Sequence, residues 1–202
     1  MPLTNAYASL AELKHRIGLG QNQTSDDGLF EDLLSGACRA IDVWTGGRFY
    51  ATTETRYFTP IDGYCLRVDD LLSIATSLKT DEDGDRTYEV TWAAATDYFL
   101  EPVNAPLLLR PYTRIEVDSV NGDHRFPVGV RRGVQIIGSW GYCSATPAPV
   151  KEAALRLAGR LYKMKDSVLG FAGSAETGVI RLQSDPDIQS LLWPYKRAWG
   201  VG

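Results

Sequence analysis

Apolar residues recur every three to four positions near both ends of this chain and every second position through its middle, so helices must bracket a sheet. From Arg48 to Trp140 the sequence falls into short runs rich in Val, Ile, Tyr, Phe and Thr. Strands are predicted at Glu54–Thr59, Leu72–Lys79, Arg86–Trp92, Tyr98–Glu101, Leu107–Leu109, Arg114–Val117 and Gly133–Trp140. No helical pattern interrupts them. Parallel neighbours need crossover helices, so the sheet is expected to be mostly antiparallel, with Asp83–Gly84 turning a hairpin.

The flanking segments carry helix boundary signals. Ser9 and Glu12 form an S-x-x-E capping box ahead of Leu10, Leu13 and Ile17, and Gly18 is a stop. A second helix follows Ser25 or Asp26, with Leu29, Leu33, Ala37, Ile41 and Trp44 as its apolar stripe, widened by Phe30 and Leu34, and ends at Gly46–Gly47. A third opens at Thr146–Pro147 and buries Val150, Ala154, Leu157, Leu161 and Met164. A glycine-containing segment, Gly170 to Gly178, is expected to be mobile. A short last helix is capped by Ser184 or Asp185, led by Pro186 and interrupted by Pro194.

The fold class is therefore α+β: a helical core, residues 1–59 and 133–169, an inserted and mostly antiparallel β region, 60–132, and a C-terminal segment, 170–202. With 202 residues the chain buries roughly 70% of its unfolded surface and needs no staples. No stretch approaches the ~20 apolar residues of a membrane span, and Met1 to Ala8 lacks the layout of a secretion signal. No membrane partner is expected.

Signals for chemistry are weak. Cys38, Cys65 and Cys143 are odd in number and widely spaced, and read as reduced, buried thiols. His15 and His124 lie far from them, too few ligands for a structural zinc. The run Asp81-Glu82-Asp83-Gly84-Asp85 has its glycine too early for an EF-hand loop and sits between strands, so it reads as a solvated turn. There is no G-x-S-x-G, no P-loop and no H-E-x-x-H, and Gly18-Leu19-Gly20 lacks the preceding strand of a dinucleotide site. No catalytic residue, metal or cofactor is assigned; a catalytic site that folding assembles in the β region is the enzyme alternative. The net charge of −4, without a basic patch, disfavours a tight grip on nucleic acid.

The C-terminal end is more informative. Leu191, Leu192, Trp193 and Tyr195 are concentrated beside Lys196 and Arg197, with Trp199 just beyond. Such apolar mass at a chain end either packs on its own domain or docks on a partner, and aromatics beside arginine are common at interface hot spots.

Three segments in order carry a resemblance: Gly47-Arg48-Phe49-Tyr50 after the helix pair; Gly138-Ser139-Trp140-Gly141-Tyr142 leading through Pro147 or Pro149 into the helix from Val150 to Tyr162; and Asp185 to Arg197. Together they span roughly half of the chain, which resembles the head–tail connector, or head-completion adaptor, family of tailed bacteriophages. The resemblance implies a non-enzymatic structural protein of the virion neck, assembled in the host cytoplasm. It implies a ring of about a dozen copies of the chain, closing head to tail, between the portal protein and the tail. A stopper or tail-completion protein would follow on the tail side, and DNA would pass through the lumen without specific binding. A negative subunit suits that passage, because it offers DNA a weakly repulsive wall. By the same resemblance Leu191, Leu192, Trp193, Tyr195, Lys196 and Arg197 would dock on portal. The neighbouring alternative is a stopper or tail-completion subunit.

Overall fold

The computed structural model describes residues 4–165 and 185–197. The segment 170–178 and Trp199 lie outside the described residues. Contacts divide the chain into two compact units: the described residues of Met1–Phe49 with Thr146–Gly202, and Tyr50–Ala145.

The first unit is helical. Helix α1 (Leu10–Ile17) opens with the capping box read from the sequence: the Glu12 amide donates to Ser9 Oγ at 3.2 Å, and the Ser9 amide to the Glu12 carboxylate at 2.8 Å. Gly18 ends it at φ +80°, a conformation costly for residues bearing Cβ. Helix α2 (Asp27–Thr45) buries Phe30, Leu34, Ala37, Cys38, Ile41 and Thr45. Its buried face is centred one residue beyond the predicted stripe, leaving Leu29, Leu33 and Trp44 at the margin. Helix α3 (Ala148–Lys165) packs Val150, Ala153, Ala154, Leu157 and Ala158 inward, with Tyr162 against Phe30 at a centroid distance of 4.9 Å. Met164, predicted on the buried stripe, is exposed instead. Small residues on this face let α3 lie close to its neighbours.

Tyr7 ties the unit together ahead of α1. Its hydroxyl donates to Asp42 and accepts from the Phe49 amide at 3.1 Å, while its amide donates to Cys38 Sγ at 3.3 Å. Burial, and then the Asp42 hydrogen bond, push the Tyr7 hydroxyl well above the ordinary phenol range. Between α1 and α3, Arg16 grips Glu152 with two 2.6 Å bonds, and Arg156 adds another at 2.7 Å. These hydrogen bonds, Arg16 first, hold the Glu152 carboxyl down at about 2, against 4.5 unperturbed. A depressed carboxylate stabilises the fold above its unfolded pKa and loses that contribution as pH falls through the folded one. Wild type is therefore expected to melt above Glu152→Gln at neutral pH, with the difference shrinking below pH 4.5 and lost as pH falls through about 2. Thermal melts across that range test this. The partners are partly exposed, so the difference is small and falls with added salt.

The second unit is a sheet of six strands in the order β1-β6-β2-β5-β4, with β3 also on β2. They are β1 (Thr52–Phe58), β2 (Cys65–Thr80), β3 (Val90–Trp92), β4 (Tyr98–Glu101), β5 (Tyr112–Val117) and β6 (Val134–Trp140), and every strand pair is antiparallel. Strands β1 and β6, grouped with the helices in the sequence division, pair inside this sheet, Thr52 opposite Trp140 through Phe58 opposite Val134. Strand β6 alternates strictly, burying Val134, Ile136, Gly138 and Trp140. These join Leu66, Leu71, Leu78, Trp92, Tyr98, Ile115 and Phe126 in one core. Strand β2 reaches well beyond its predicted start at Leu72; register shifts between Arg67 and Leu71, Leu71 and Ser73, and Ile74 and Ser77 let it bend.

One strand expectation fails. Residues 107–109 are not a strand: Pro106–Leu108 is a 3₁₀ turn, and Leu109 takes φ +52°. Pro106 presets a helical φ, and the Arg110 amide closes back on the Ala105 carbonyl at 2.9 Å, so the run turns instead of extending.

Candidate partner-docking site

The C-terminal segment is built from its own cap upward. Asp185 accepts from the Ile188 amide at 3.3 Å, and Pro186 takes the first position of α4 (Pro186–Leu192). Arg160 of α3 pairs with Asp185 and reaches Asp187 at 3.8 Å. Ile188 and Leu192 are fully buried. A 3₁₀ turn, Trp193–Tyr195, follows, where Pro194 ends the α-helical ladder. Tyr195 sets its ring edge-on to Phe49 at 5.6 Å, and the Arg197 amide donates to the Thr45 carbonyl at 2.8 Å, tying the segment to the end of α2.

This corrects the reading in which all six C-terminal residues face a partner. Leu192 is core of its own unit, and Tyr195 is half-buried against Phe49. Leu191 is half-buried as well. The outward edge is Trp193, 67% exposed, with Lys196 and Arg197. The Lys196 ammonium lies 4.9 Å from the Trp44 ring and 5.6 Å from that of Trp193. A cation between two indoles orders both and presents an amphipathic ridge, suited to an apolar groove with an acidic rim. The signal that separates core from ridge is helical spacing: Ile188 and Leu192 are four apart on one face.

The remaining candidates for chemistry have partners within the fold. The carboxylates of Asp81, Asp83 and Asp85 lie within 4.8 Å of one another. Their oxygens accept the turn's own amides: Asp81 from Gly84 at 2.7 Å and Arg86 at 2.9 Å, Asp83 from Asp85, and Asp85 from Thr87. His124 stacks on Trp92 at 5.4 Å, with Asp97 3.8 Å away, a carboxylate far from it in sequence that folding brings beside it. Asp97 also accepts from the Ala93 amide at 2.6 Å, and Trp92 stacks on Phe126 at 4.6 Å, so the group closes the sheet core. Burial pushes all three thiols up, Cys143 to about 11 with Asp70 adding to it, which keeps them protonated and poorly nucleophilic.

Sequence reasoning missed a second apolar surface. Leu107, Leu108 and Leu109, at the tip of the β4–β5 loop, are 81%, 64% and 81% exposed. The signal was present in the brackets Pro106 and Pro111, which cannot donate to a strand ladder.

With this α+β architecture in hand, its likeness to solved structures can be stated. A chain from the neck of an empty gene transfer agent (GTA) particle, computed with C6 symmetry, superposes with a TM-score of 0.63 at 17% identity, over 100% of this chain and 95% of that one. A chain from the neck of the native particle, computed with C12 symmetry, gives 0.60 at 18%, and one from the native virion 0.57 at 19%, both with the same coverages. At these identities the likeness is one of fold. No family model matches the chain, and no curated protein does.

Proposed function

We propose that this chain is a structural subunit of the neck of a tailed phage or phage-like particle, acting as a head–tail adaptor. The observation that carries this reading is a fold shared end to end with chains of GTA necks, across both the helical unit and the inserted sheet. Copies of the chain would form a ring of about twelve between portal and tail, closed by head-to-tail contacts. Trp193, Lys196 and Arg197, with the exposed part of Leu191, would form the portal-facing ridge. DNA would pass through a lumen that does not hold it. The absence of a nucleophile–base constellation in the motifs of the sequence agrees with a non-catalytic role.

Purified chain added to portal-bearing heads that lack their adaptor tests the proposal. Ring density on the portal vertex by electron microscopy is the expected result. Binding only after another ring is in place would reassign the chain as a stopper. No binding to either would remove it from the neck.

A further inference from the structure

Strand β1 ends the sheet: among the described residues its only strand neighbour is β6, so its outer side is an open sheet edge. An open edge is a template for another strand, and folded proteins blunt it with short strands, prolines, bulges or lysines. Strand β4 is blunted in this way. It has four residues, leads into Pro102, and its Tyr98 carbonyl accepts from the Ala95 amide at 3.2 Å. Strand β3 has only three residues. Strand β1 has seven, with no proline or lysine among them, and keeps an unbroken register with β6.

The sequence of β1, Thr52-Thr53-Glu54-Thr55-Arg56-Tyr57-Phe58, is complementary to itself when laid antiparallel about Thr55. Thr52 then lies opposite Phe58 of the second copy, Thr53 opposite Tyr57, Glu54 opposite Arg56, and Thr55 opposite its own counterpart. These are β-branched–aromatic, opposite-charge and Thr–Thr pairs, the kinds that stabilise antiparallel neighbours. Other two-fold registers are poorer. Centring on Glu54 or Arg56 sets like charges face to face, and centring on Thr53 or Tyr57 pairs fewer residues of the strand. An axis between residues would set one face of the strand against the other.

The charged groups are already placed. Exposure alternates along β1, with Thr53, Thr55 and Tyr57 on the open face and Glu54 and Arg56 half-buried on the core face. The Arg56 guanidinium lies 4.5 Å from the Trp140 ring and holds Glu54 and Asp69, each at 3.0 Å, so it is ordered before a second strand arrives. About Thr55, Glu54 and Arg56 of the two copies alternate in sign around the axis. We infer that the free chain pairs with a second copy of itself through β1, antiparallel about Thr55, so that one sheet continues into the next. Such a contact is isologous and closes on itself, so it is no part of a cyclic ring and stands whether or not the chain binds heads.

Disulfide trapping tests the register. Opposite residues of an antiparallel pair have Cα atoms about 4.5–5.5 Å apart, within disulfide reach. Thr55→Cys in the full-length chain should therefore give, on mild oxidation, a dimer linked between the two copies of position 55, mapped by peptide mass. Wild type, with Cys38, Cys65 and Cys143, supplies the background. Thr53→Cys should not link to itself, because its two copies lie four residues, about 13 Å, out of step. It should link to Tyr57→Cys when the two preparations are mixed. Thr53 and Thr55 are exposed, so both variants should melt like wild type. Glu54→Arg sets like charges opposite in the same register and should weaken self-association in sedimentation by about tenfold or more. No link at position 55 up to about millimolar concentration, or equal linking at 53 and 55, overturns the inference. Failure to bind heads, with the position-55 link formed, would sink the neck reading alone.

Discussion

Truncation after Gln183 is expected to unfold the helical unit or to lower its melting temperature by roughly 20 °C or more. The lost segment holds Ile188 and Leu192, both fully buried, and Tyr195 against Phe49. Burial of each such side chain is worth about 1.5–3 kcal/mol, and removing them also exposes the partner faces of α2 and α3. In a domain of this size about 1 kcal/mol corresponds to 4–8 °C. Point variants divide the effect. Leu192→Ala should cost about 2–5 kcal/mol, as large-to-small changes at closed core sites do. Trp193→Ala, at an exposed position, should leave the melt almost unmoved while weakening attachment to portal-bearing heads. Calorimetry and a head-binding assay read the two separately. A truncated protein that melts like wild type would return the whole segment to a purely docking role.

Gly141→Ala should be as damaging in the second unit. Gly141 has φ +144°, and an added Cβ would lie 2.0 Å from the Tyr50 carbonyl oxygen. That oxygen is main chain and cannot swing aside, while the Gly141 amide is held by the Asp70 carbonyl at 2.9 Å. Relief requires parting the residues just before β1 from those just after β6. A loss above about 4 kcal/mol is expected, read as a collapsed melt or insoluble expression. Gly138→Ala is the graded comparison. Its Cβ would meet Leu71 Cδ1 at 2.9 Å, which can shift, and the Ser73 carbonyl at 3.0 Å, which cannot. It should cost less than Gly141→Ala and still be measurable. Equal melts for Gly141→Ala and wild type would mean that the backbone there yields.

What could be read from the chain and what could not have separate physical causes. Short-range signals translated faithfully. The Ser9–Glu12 box, the stops at Gly18 and Gly46 and the strand Tyr98–Glu101 depend on residues within a few positions of one another. The first half of β2 was hidden because Asp69 and Asp70 interrupt its apolar run, and the register shifts that accommodate them belong to the sheet as a whole. Residues 107–109 were misread because three adjacent leucines look the same whether a strand buries them or a turn exposes them. The C-terminal segment was legible in content but not in direction. Composition showed that Leu192 and Trp193 needed cover, and only the fold shows that one has it at home.

The helical unit is discontinuous in sequence, and that sets an order on its synthesis. Helices α1 and α2 leave the ribosome with Phe30, Leu34 and Ile41 facing outward, because α3, which covers them, is encoded after the entire stretch Tyr50–Ala145. At about 5–20 residues per second that stretch takes roughly 5–20 s to make. Through this interval the nascent chain carries an uncovered amphipathic hairpin, and the sheet has time to form before its older neighbour can close. Slowing translation within residues 50–145 should therefore lengthen the window for chaperone capture of the first two helices.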